Sequence, residues 1–263
     1  MKKLLAVYFS GTGNTAYATE KFCSRLSAAG IDCKIFSIED FDMAAARDFN
    51  ADTLLVAYPI YTSDVPRIMR KFISRNPEIF KGRDLVTLVT QHSFSGDGGA
   101  LAARLVNNKK AHTASIHIKL PSNISDWTAV IKIKNDDMAL IKKADARIEK
   151  CAADVLSGKP VKDGLGFFSW FAGFFVQRWW FRIFAEKRLR KGLKIDARLC
   201  SRCGKCAERC PMRNINISDG NIAASDNCTF CYRCINFCPR KAISLISRKK
   251  PTEQYKGIGG YGV

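Results

Sequence analysis

Two copies of one closely spaced cysteine pattern lie near the C-terminus of the chain. Both copies read C-x-x-C-x-x-C-x-x-x-C-P, and the second follows the first at a uniform offset of 28 residues. The offset continues beyond the cysteines, since Ile215 corresponds to Ile243 and Ile217 to Leu245. The C-terminal part must therefore fold around whatever these cysteines bind. The two copies consist of Cys200, Cys203, Cys206, Cys210 and Pro211, and of Cys228, Cys231, Cys234, Cys238 and Pro239.

The spacing within each copy suits an iron–sulfur cubane. Three cysteines at intervals of three residues place three thiolates on one tight turn of chain, and the fourth must reach the cluster from elsewhere. The proline after the fourth cysteine ends any regular element there. In the bacterial two-cluster pattern, the fourth cysteine of each run ligates the other cluster. The sequence therefore predicts two [4Fe–4S] clusters, cluster 1 held by Cys200, Cys203, Cys206 and Cys238, and cluster 2 by Cys228, Cys231, Cys234 and Cys210.

Zinc and disulfides are less consistent with this pattern. Structural zinc takes four ligands, usually from two C-x-x-C pairs, whereas each run here offers three close cysteines, a fourth and a proline. Disulfides are expected in exported proteins, and the short apolar run 4–9 is expected to be a strand rather than a signal peptide. The remaining Cys23, Cys33 and Cys151 are expected to be small buried hydrophobes. Over 194–246 the chain closely resembles a bacterial two-cluster ferredoxin, which implies a small α+β domain.

A second signal lies near the N-terminus. The apolar run 4–9 stops at a turn rich in glycine and hydroxyl groups, and a helical pattern follows. Backbone N–H groups at a helix start, together with short hydroxyls, bind phosphate well. The turn lacks the lysine of the nucleoside-triphosphate loop and the third glycine of the dinucleotide fingerprint, so we expect a phosphate held without a cation. The turn resembles the FMN-phosphate loop of flavodoxins, and consists of Ser10, Gly11, Thr12, Gly13, Asn14 and Thr15.

Two further loops follow apolar runs at 53–57 and 85–90. In an open parallel sheet, ligands bind beyond the carboxyl ends of the strands at the point where strand order reverses. The flavodoxin family uses the corresponding loops for the two sides of the isoalloxazine. The resemblance implies bound FMN, with Tyr61 or Phe94 stacked on the ring. The implied contacts are Pro59, Ile60, Tyr61 and Thr62 in one loop, and Gln91, Phe94, Ser95, Gly96, Asp97 and Gly98 in the other.

Alternation of strands and helices over the first 158 residues predicts an α/β fold. Strands are expected near 4–9, 32–37, 53–58, 85–91 and 114–119, and helices near 14–29, 41–47, 66–75, 99–107 and 136–157. The resemblance implies a flavodoxin-like doubly wound five-stranded parallel sheet in the order 2-1-3-4-5. The loop 120–127 either closes over the flavin or is a plain loop. The predicted organisation is an FMN-binding domain at 1–158, an aromatic linker helix at 159–192, a ferredoxin domain at 193–247 and a basic, flexible, Gly-rich tail at 248–263.

The segment 164–190 is dominated by phenylalanine and tryptophan. Its polar positions fall on one narrow helical stripe, and the segment is too short and too rich in arginine to span a bilayer comfortably. The preferred interpretation is a helix wedged between the domains that helps bury the clusters. The alternatives are an interfacial helix lying on an anionic membrane and a docking face for a partner protein. The stripe consists of Ser169, Gly173, Gln177, Arg178 and Arg182.

The net charge of the chain indicates what kind of partner it binds. The formal net charge is +19; residues 1–163 carry 24 Lys and Arg against 18 Asp and Glu, and residues 164–263 carry 19 against 6. Such an excess favours an acidic redox partner, either a ferredoxin-like donor or a reductase, or an anionic membrane surface. No nucleic-acid-binding motif is visible, so nucleic acid is not expected. We expect a cytoplasmic protein, with membrane association left open by the segment 164–190.

The chain as a whole resembles the flavodoxin–ferredoxin fusion proteins of anaerobic bacteria and archaea. The resemblance implies an electron carrier that converts between the one-electron chemistry of the clusters and the two-electron chemistry of FMN. The alternative is an FMN-dependent reductase of a small organic substrate, fed by its own ferredoxin domain. The sequence contains no cysteine, serine or histidine constellation that marks a substrate site, which favours the carrier. A redox-responsive regulatory protein is a third class.

Overall fold

A computed structural model describes residues 1–107, 112–127, 137–218, 221–247 and 250–261. Its first part is built on a six-stranded sheet whose strands all run parallel. The order is β2-β1-β3-β4-β5-β6. The strands are β1 Lys3–Tyr8, β2 Asp32–Ser37, β3 Thr53–Pro59, β4 Asp84–Gln91, β5 His112–Lys119 and β6 Val161–Lys162.

The predicted order of the first five strands is confirmed, and it is the flavodoxin-like order. The predicted number of strands is wrong by one. Val161 and Lys162 pair in parallel with Ala114 and Ser115, so the sheet continues past the boundary predicted at 158. Two residues are too few to show an alternating pattern in the sequence, which is why this strand was not predicted.

Helices cover both faces of the sheet. Successive side chains of a strand point to opposite faces, so Leu4 and Ala6 enter one core while Leu5 and Val7 enter the other. The first core lies beneath α1 and α5, and the second beneath α2, α3 and α4. Cys23 and Cys151 are buried in the first core as expected, whereas Cys33 is only half-buried. The helices are α1 Asn14–Ala28, α2 Met43–Phe49, α3 Arg67–Arg75, α4 Leu101–Leu105 and α5 Asp137–Leu156.

The cysteine-rich part, whose sequence resembles a two-cluster ferredoxin, forms a small α+β unit, as predicted. We call it the ferredoxin-like unit. Strand β7 (Lys194–Ile195) pairs antiparallel with β10 (Ile243–Ser244), and β8 (Ile215–Ser218) pairs antiparallel with β9 (Asn221–Ala224). Two short helices, Lys205–Glu208 and Arg233–Phe237, complete it.

The 28-residue repeat extends to the backbone conformation of this unit. Positive φ angles, which most residues avoid, recur at matching positions of the two halves. The pairs are Arg202 and Phe230 (57° and 62°), Gly204 and Tyr232 (77° and 61°), and Arg213 and Lys241 (48° and 51°).

Between the two units runs a continuous helix over residues 167–190, here called the aromatic helix. Its ends, Phe167–Phe171 and Glu186–Arg190, are α-helical, while Ala172–Trp179 and Phe181–Ala185 are wound as π-helix. None of the helices in the described ranges is long and apolar enough to cross a membrane.

The last described residues fold back onto the first unit. Ile258 is 5% exposed and belongs to the core beneath α1. The Tyr255 hydroxyl donates to Asn14 Oδ1 at 2.5 Å, and the Tyr261 ring meets Tyr17 edge-on at 5.4 Å. The expectation of a flexible tail is therefore wrong for residues 250–261, because the side chains of Tyr255, Ile258 and Tyr261 anchor it. Arg248, Lys249, Gly262 and Val263 of the predicted tail lie outside the described residues, as does the first residue of the helix predicted at 136–157.

A candidate cofactor cleft between the two units

A cleft with about 920 Å³ of empty space opens at the carboxyl ends of β1, β3 and β4. One wall comes from the loops that the sequence singled out, and the segment 121–124 adds to it. The facing wall belongs to the ferredoxin-like unit and the aromatic helix, through Phe230, Tyr232, Leu245, Ile246, Phe181 and Leu189. The predicted residues that line the cleft are Ser10, Gly11, Thr12, Asn14, Thr15, Pro59, Ile60, Tyr61, Thr62 and Gln91.

The turn before α1 leaves amide donors open to an anion. Gly13 has a φ of 97°, a left-handed conformation that favours glycine, and its N–H donates to Ser10 Oγ at 3.1 Å. The helix has no side-chain cap and no acidic residue in its first turn. The first four N–H groups of a helix lack intrahelical acceptors, and the 15 residues of α1 give it a substantial dipole. This end of the cleft therefore suits a phosphate group.

Two buried polar atoms of the cleft lack a hydrogen-bond partner. They are the Tyr61 hydroxyl and Gln91 Oε1, and both residues line the cleft. Burial raises the pKa of Tyr61 well above its usual value, so its hydroxyl stays protonated. A buried polar group without a partner is unfavourable, and a ligand with polar edges would remove the penalty. The residues present thus fit a flavin mononucleotide, with its phosphate on the turn and its ring system near Tyr61 and Gln91.

The second half of the third loop does not line the cleft. Phe94 is 49% exposed, and Asp97 is fully buried in ion pairs with Arg178 and Arg104. The prediction that Phe94, Ser95, Gly96, Asp97 and Gly98 contact the flavin is thus not supported by their positions. After Gln91 and His92, which do line the cleft, the loop turns away to hold the aromatic helix. The sequence could not show this, because the partner Arg178 lies 81 residues further along the chain.

Cys210, Cys228, Cys231 and Cys234 line one cavity with about 380 Å³ of empty space. The first of these belongs to the first cysteine run and the other three to the second. Backbone N–H groups donate to two of the sulfurs, from Asn214 to Cys210 at 3.2 Å and from Phe230 to Cys228 at 3.4 Å. Burial raises the pKa of Cys231 to about 12 and that of Cys228 to about 11, so their protons must be displaced when a metal cluster binds.

The other four cysteines occupy a more open position. The pKa of Cys206 is raised by burial and by the nearby Cys238 and Cys200 thiols, whereas Cys203 is exposed. The Arg202 N–H donates to Cys200 Sγ at 3.4 Å and the Ala242 N–H to Cys238 Sγ at 3.3 Å. In the described ranges, no three His, Cys, Asp or Glu side chains meet around a single ion position. The assignment of four ligands to each cluster stays a prediction.

The cysteine cavity and the cleft share a wall of backbone. A Cβ atom added to Gly11 would lie 2.5 Å from the carbonyl oxygen of Cys231, so only glycine allows this approach. Asn123 bridges the two units, donating to Thr12 Oγ1 at 3.0 Å and to the Cys231 carbonyl at 3.3 Å. The site predicted for cluster 2 is therefore the one next to the cleft.

Arg233 also joins the two units where Gly11 meets Cys231, a contact region that we call the junction. Its guanidinium donates to the Ser10 carbonyl at 2.8 Å and the Gly11 carbonyl at 3.1 Å, and it pairs with Glu39. Neither Asn123 nor Arg233 was predicted as a site residue. A signal existed for Arg233, which lies between Cys231 and Cys234, but a charged residue between ligands has many possible roles.

The loop 120–127 joins the units rather than serving as a plain loop. The buried Asp126 carboxylate accepts from the N–H groups of Leu245 at 2.5 Å and Ile246 at 2.9 Å, and from the Tyr232 hydroxyl at 2.8 Å. Ser125 donates to Asn236 at 2.7 Å. Meanwhile residues 121–124 line the cleft. One loop thus both shapes the cleft and fixes the position of the ferredoxin-like unit.

The aromatic helix turns its polar stripe toward the protein. Arg178, 4% exposed, donates to the Ser63 carbonyl at 2.7 Å and to Asp97 Oδ1 at 2.9 Å. Arg182 binds both oxygens of Asp64, at 2.7 and 3.0 Å. Most of the large aromatic side chains point outward. The preferred interpretation, a helix wedged between the domains that helps bury the clusters, stays a prediction. Phe181 and Leu189 do contribute to the cleft wall, and the Phe181 ring lies 5.7 Å from that of Phe230, but most of the aromatic side chains do not pack between the units.

Two solved flavodoxins illustrate the similarity of the first unit. The flavodoxin of Streptococcus pneumonia TIGR4 is 16% identical, with a TM-score of 0.42, and the match covers 59% of this chain and 98% of that one. The Fusobacterium nucleatum flavodoxin bound to flavin mononucleotide is 17% identical, with a TM-score of 0.40, covering 60% and 98%. Assignment of the flavodoxin-like fold rests here on the observed strand order.

The cysteine-rich unit matches known sequences directly. The family model described as a 4Fe-4S dicluster domain matches residues 192–239. A ferredoxin of Methanothermococcus thermolithotrophicus is 38% identical over 45 residues, which is 16% of this chain and 75% of that protein. Through this C-terminal unit, which follows a flavodoxin-like α/β unit, the chain belongs to the ferredoxin family.

Proposed function

We propose that this chain is an electron-transfer protein that relays electrons between two [4Fe–4S] clusters and an FMN held in the cleft. The observation that carries the proposal is the shared wall of the cleft and the cysteine cavity, where Gly11 abuts Cys231. FMN, when bound, exchanges one or two electrons, whereas each cluster exchanges one. A chain that holds both next to each other can convert between one-electron and two-electron carriers.

The residues of the junction have separable tasks in this proposal. The open amides at the start of α1 bind the phosphate, and Tyr61 and Gln91 supply polar contacts to the ring system. Phe181, Phe230 and Tyr232 form a largely apolar facing wall, which limits water around the cofactors. Hydrogen bonds from backbone N–H groups to the cysteine sulfurs favour the reduced, more negative cluster. Such hydrogen bonds are among the factors that set the reduction potential of a cluster.

We expect a redox partner to dock at the more exposed cysteine set, which is the one predicted for cluster 1, and we call this docking position the port. Cys203 is exposed, and the basic side chains of Arg198, Arg202 and Lys205 around it are exposed too. Hydrogen bonding from the Lys205 N–H lowers the pKa of Cys203. We call these three cations the basic rim. It favours an acidic redox partner docking at cluster 1, so that electrons pass from the partner to cluster 1, then to cluster 2 and the cleft.

Charge reversal of the basic rim tests this port. In Arg198→Glu/Arg202→Glu/Lys205→Glu, the second-order rate constant for reduction by an acidic ferredoxin should fall roughly tenfold or more at low ionic strength, because steering is lost. Stopped-flow absorbance measures the rate. The matched control is Lys142→Glu/Lys143→Glu/Lys150→Glu on α5, which changes the net charge equally and should retain most of the rate. Equal losses in both variants would place the port elsewhere.

The relay itself is tested on protein purified anaerobically. Two clusters predict about eight iron atoms per chain, together with one FMN. On mixing with limiting reduced ferredoxin, the cluster absorbance should bleach first and the flavin absorbance should follow within the chain, at a rate independent of protein concentration. Flavin reduction whose rate depends on protein concentration would contradict the relay. Turnover of a small organic acceptor at the same rate as flavin oxidation would favour the reductase alternative.

A further inference from the structure

The outer side of the aromatic helix is a continuous apolar surface that nothing in the described structure covers. Phe168 is 85% exposed, and the other members are each at least 46% exposed. Proteins that remain free in solution rarely expose apolar patches of this kind. We call this surface the aromatic face; it consists of Phe167, Phe168, Phe171, Phe175, Val176, Trp179, Trp180, Ile183 and Phe184.

The helix cannot roll to bury this face. Its inner side is fixed by Arg178 on Asp97 and by Arg182 on Asp64. The backbones also meet closely, because a Cβ atom on Gly96 would lie 2.5 Å from the Cα atom of Gly173. Hydrogen bonds closed at i+5 widen each π-helical turn, which keeps these polar positions in line over the length of the helix. Outward display of the aromatic side chains is thus built into the packing.

The charges next to the aromatic face are positive. The last turn of the aromatic helix carries Lys187 and Arg188, and Lys191 and Lys194 follow it in the chain; all four are exposed. Glu186, the acidic residue of the segment 164–194, is bound to Arg70 at 3.3 Å. We call these four cations the basic end. Tryptophan and phenylalanine beside lysine and arginine is the composition that favours the headgroup region of an anionic bilayer.

We propose that the aromatic face inserts into the headgroup layer of an anionic membrane, with the basic end binding lipid phosphates, so that the protein works as a peripheral membrane protein. The occupant is a lipid surface rather than a second copy, because two copies would each bring the four cations of the basic end to the contact, on polypeptides that are strongly basic throughout. The inserted helix lies in the plane of the membrane and does not cross it. The electron-relay function is not needed for this proposal.

Vesicle sedimentation of the holoprotein tests it. Binding is expected to vesicles of equimolar phosphatidylglycerol and phosphatidylcholine, and to be much weaker with phosphatidylcholine alone. In Lys187→Gln/Arg188→Gln/Lys191→Gln, the partition coefficient should fall roughly 100-fold, since each lost cation removes about fivefold. The matched control Lys142→Gln/Lys143→Gln/Lys150→Gln loses the same charge from α5 and should bind nearly as well as the wild type.

The aromatic side chains are tested in the same assay. Phe168→Ser/Trp180→Ser should reduce binding roughly tenfold or more, whereas Ile217→Ser, an exposed apolar residue of β8, should not. An unchanged cluster absorbance in each variant reports the fold. In the wild type, brominated lipids should quench the tryptophan fluorescence, a readout that needs no variant.

Three results would overturn the proposal: no preference for anionic vesicles, equal losses in the test and control variants, or tryptophans that brominated lipid leaves unquenched. A dimer in solution that Phe168→Ser/Trp180→Ser dissociates would assign the aromatic face to a second copy instead.

Discussion

Cys210→Ala should lower the iron content from about eight to about four atoms per chain, and the cluster that is lost should be the one held by the second cysteine run. The reason is geometric, since Cys210 lines the same cavity as Cys228, Cys231 and Cys234. Without Cys210, a cubane in this cavity would be bound by three buried cysteines only. One of its iron atoms would then lack a protein ligand. Iron analysis and electron paramagnetic resonance of the dithionite-reduced protein measure the effect.

The identity of the lost cluster separates the crossed assignment from a local one. In Cys210→Ala and Cys231→Ala, the surviving reduced cluster should give one and the same resonance spectrum, and Cys206→Ala should give a different one. Cys151→Ala, which removes a core thiol far from the cysteine runs in sequence, should keep the wild-type iron content. A spectrum of Cys210→Ala that matches Cys206→Ala instead would show that each run builds its own cluster.

The same variants bear on the relay. Because the cavity of Cys231 borders the cleft through Gly11, loss of cluster 2 should interrupt electron flow to the cleft even though cluster 1 is still reduced by the partner. Slow flavin reduction in Cys210→Ala, with rapid reduction of the surviving cluster, is the expected signature.

The features that the sequence predicted well are local ones. A cysteine run, a Gly-rich turn and an apolar strand are each determined by a short stretch of consecutive residues, and each lies where its pattern indicated. The α/β order followed because successive strands pair or neighbour one another in such folds. The contacts that join the units could not be predicted in this way, because Asp126, Asn123 and Arg233 meet partners more than a hundred residues away.

The aromatic helix shows a different kind of limit. Hydrophobic periodicity identifies the residues that form the polar stripe of a helix. Its usual interpretation is that this polar side faces water. Here Asp97 and Asp64 on the first unit present buried carboxylates, and the arginines of the stripe turn inward to meet them. Residues 94–98, which were predicted to contact the flavin, lie away from the cleft for the same reason, because Asp97 pairs with Arg178. A pattern of residue types cannot tell an arginine that is solvated from one that is buried in an ion pair.

Arg178→Met should destabilise the protein by about 3 kcal/mol, the lower end of the range for breaking a buried ion pair. Asp97 has no exposed surface, so loss of the Arg178 guanidinium leaves its carboxylate buried with Arg104 as its remaining ion-pair partner among the described residues. The Ser63 carbonyl also loses the donor that now binds it at 2.7 Å. The midpoint of urea unfolding, followed anaerobically by tryptophan fluorescence, measures the change; three of the 4 tryptophans, at 170, 179 and 180, lie on the aromatic helix.

Two further variants show whether the loss comes from the buried pair. Arg188→Met removes an exposed arginine of the same helix and should change stability by no more than about 0.5 kcal/mol. Asp97→Asn in the Arg178→Met background removes the uncompensated charge and should recover part of the loss, which a double-mutant cycle quantifies. Equal stabilities of Arg178→Met and Arg188→Met would mean that packing of Gly173 on Gly96, rather than the ion pair, holds the helix with its aromatic side outward.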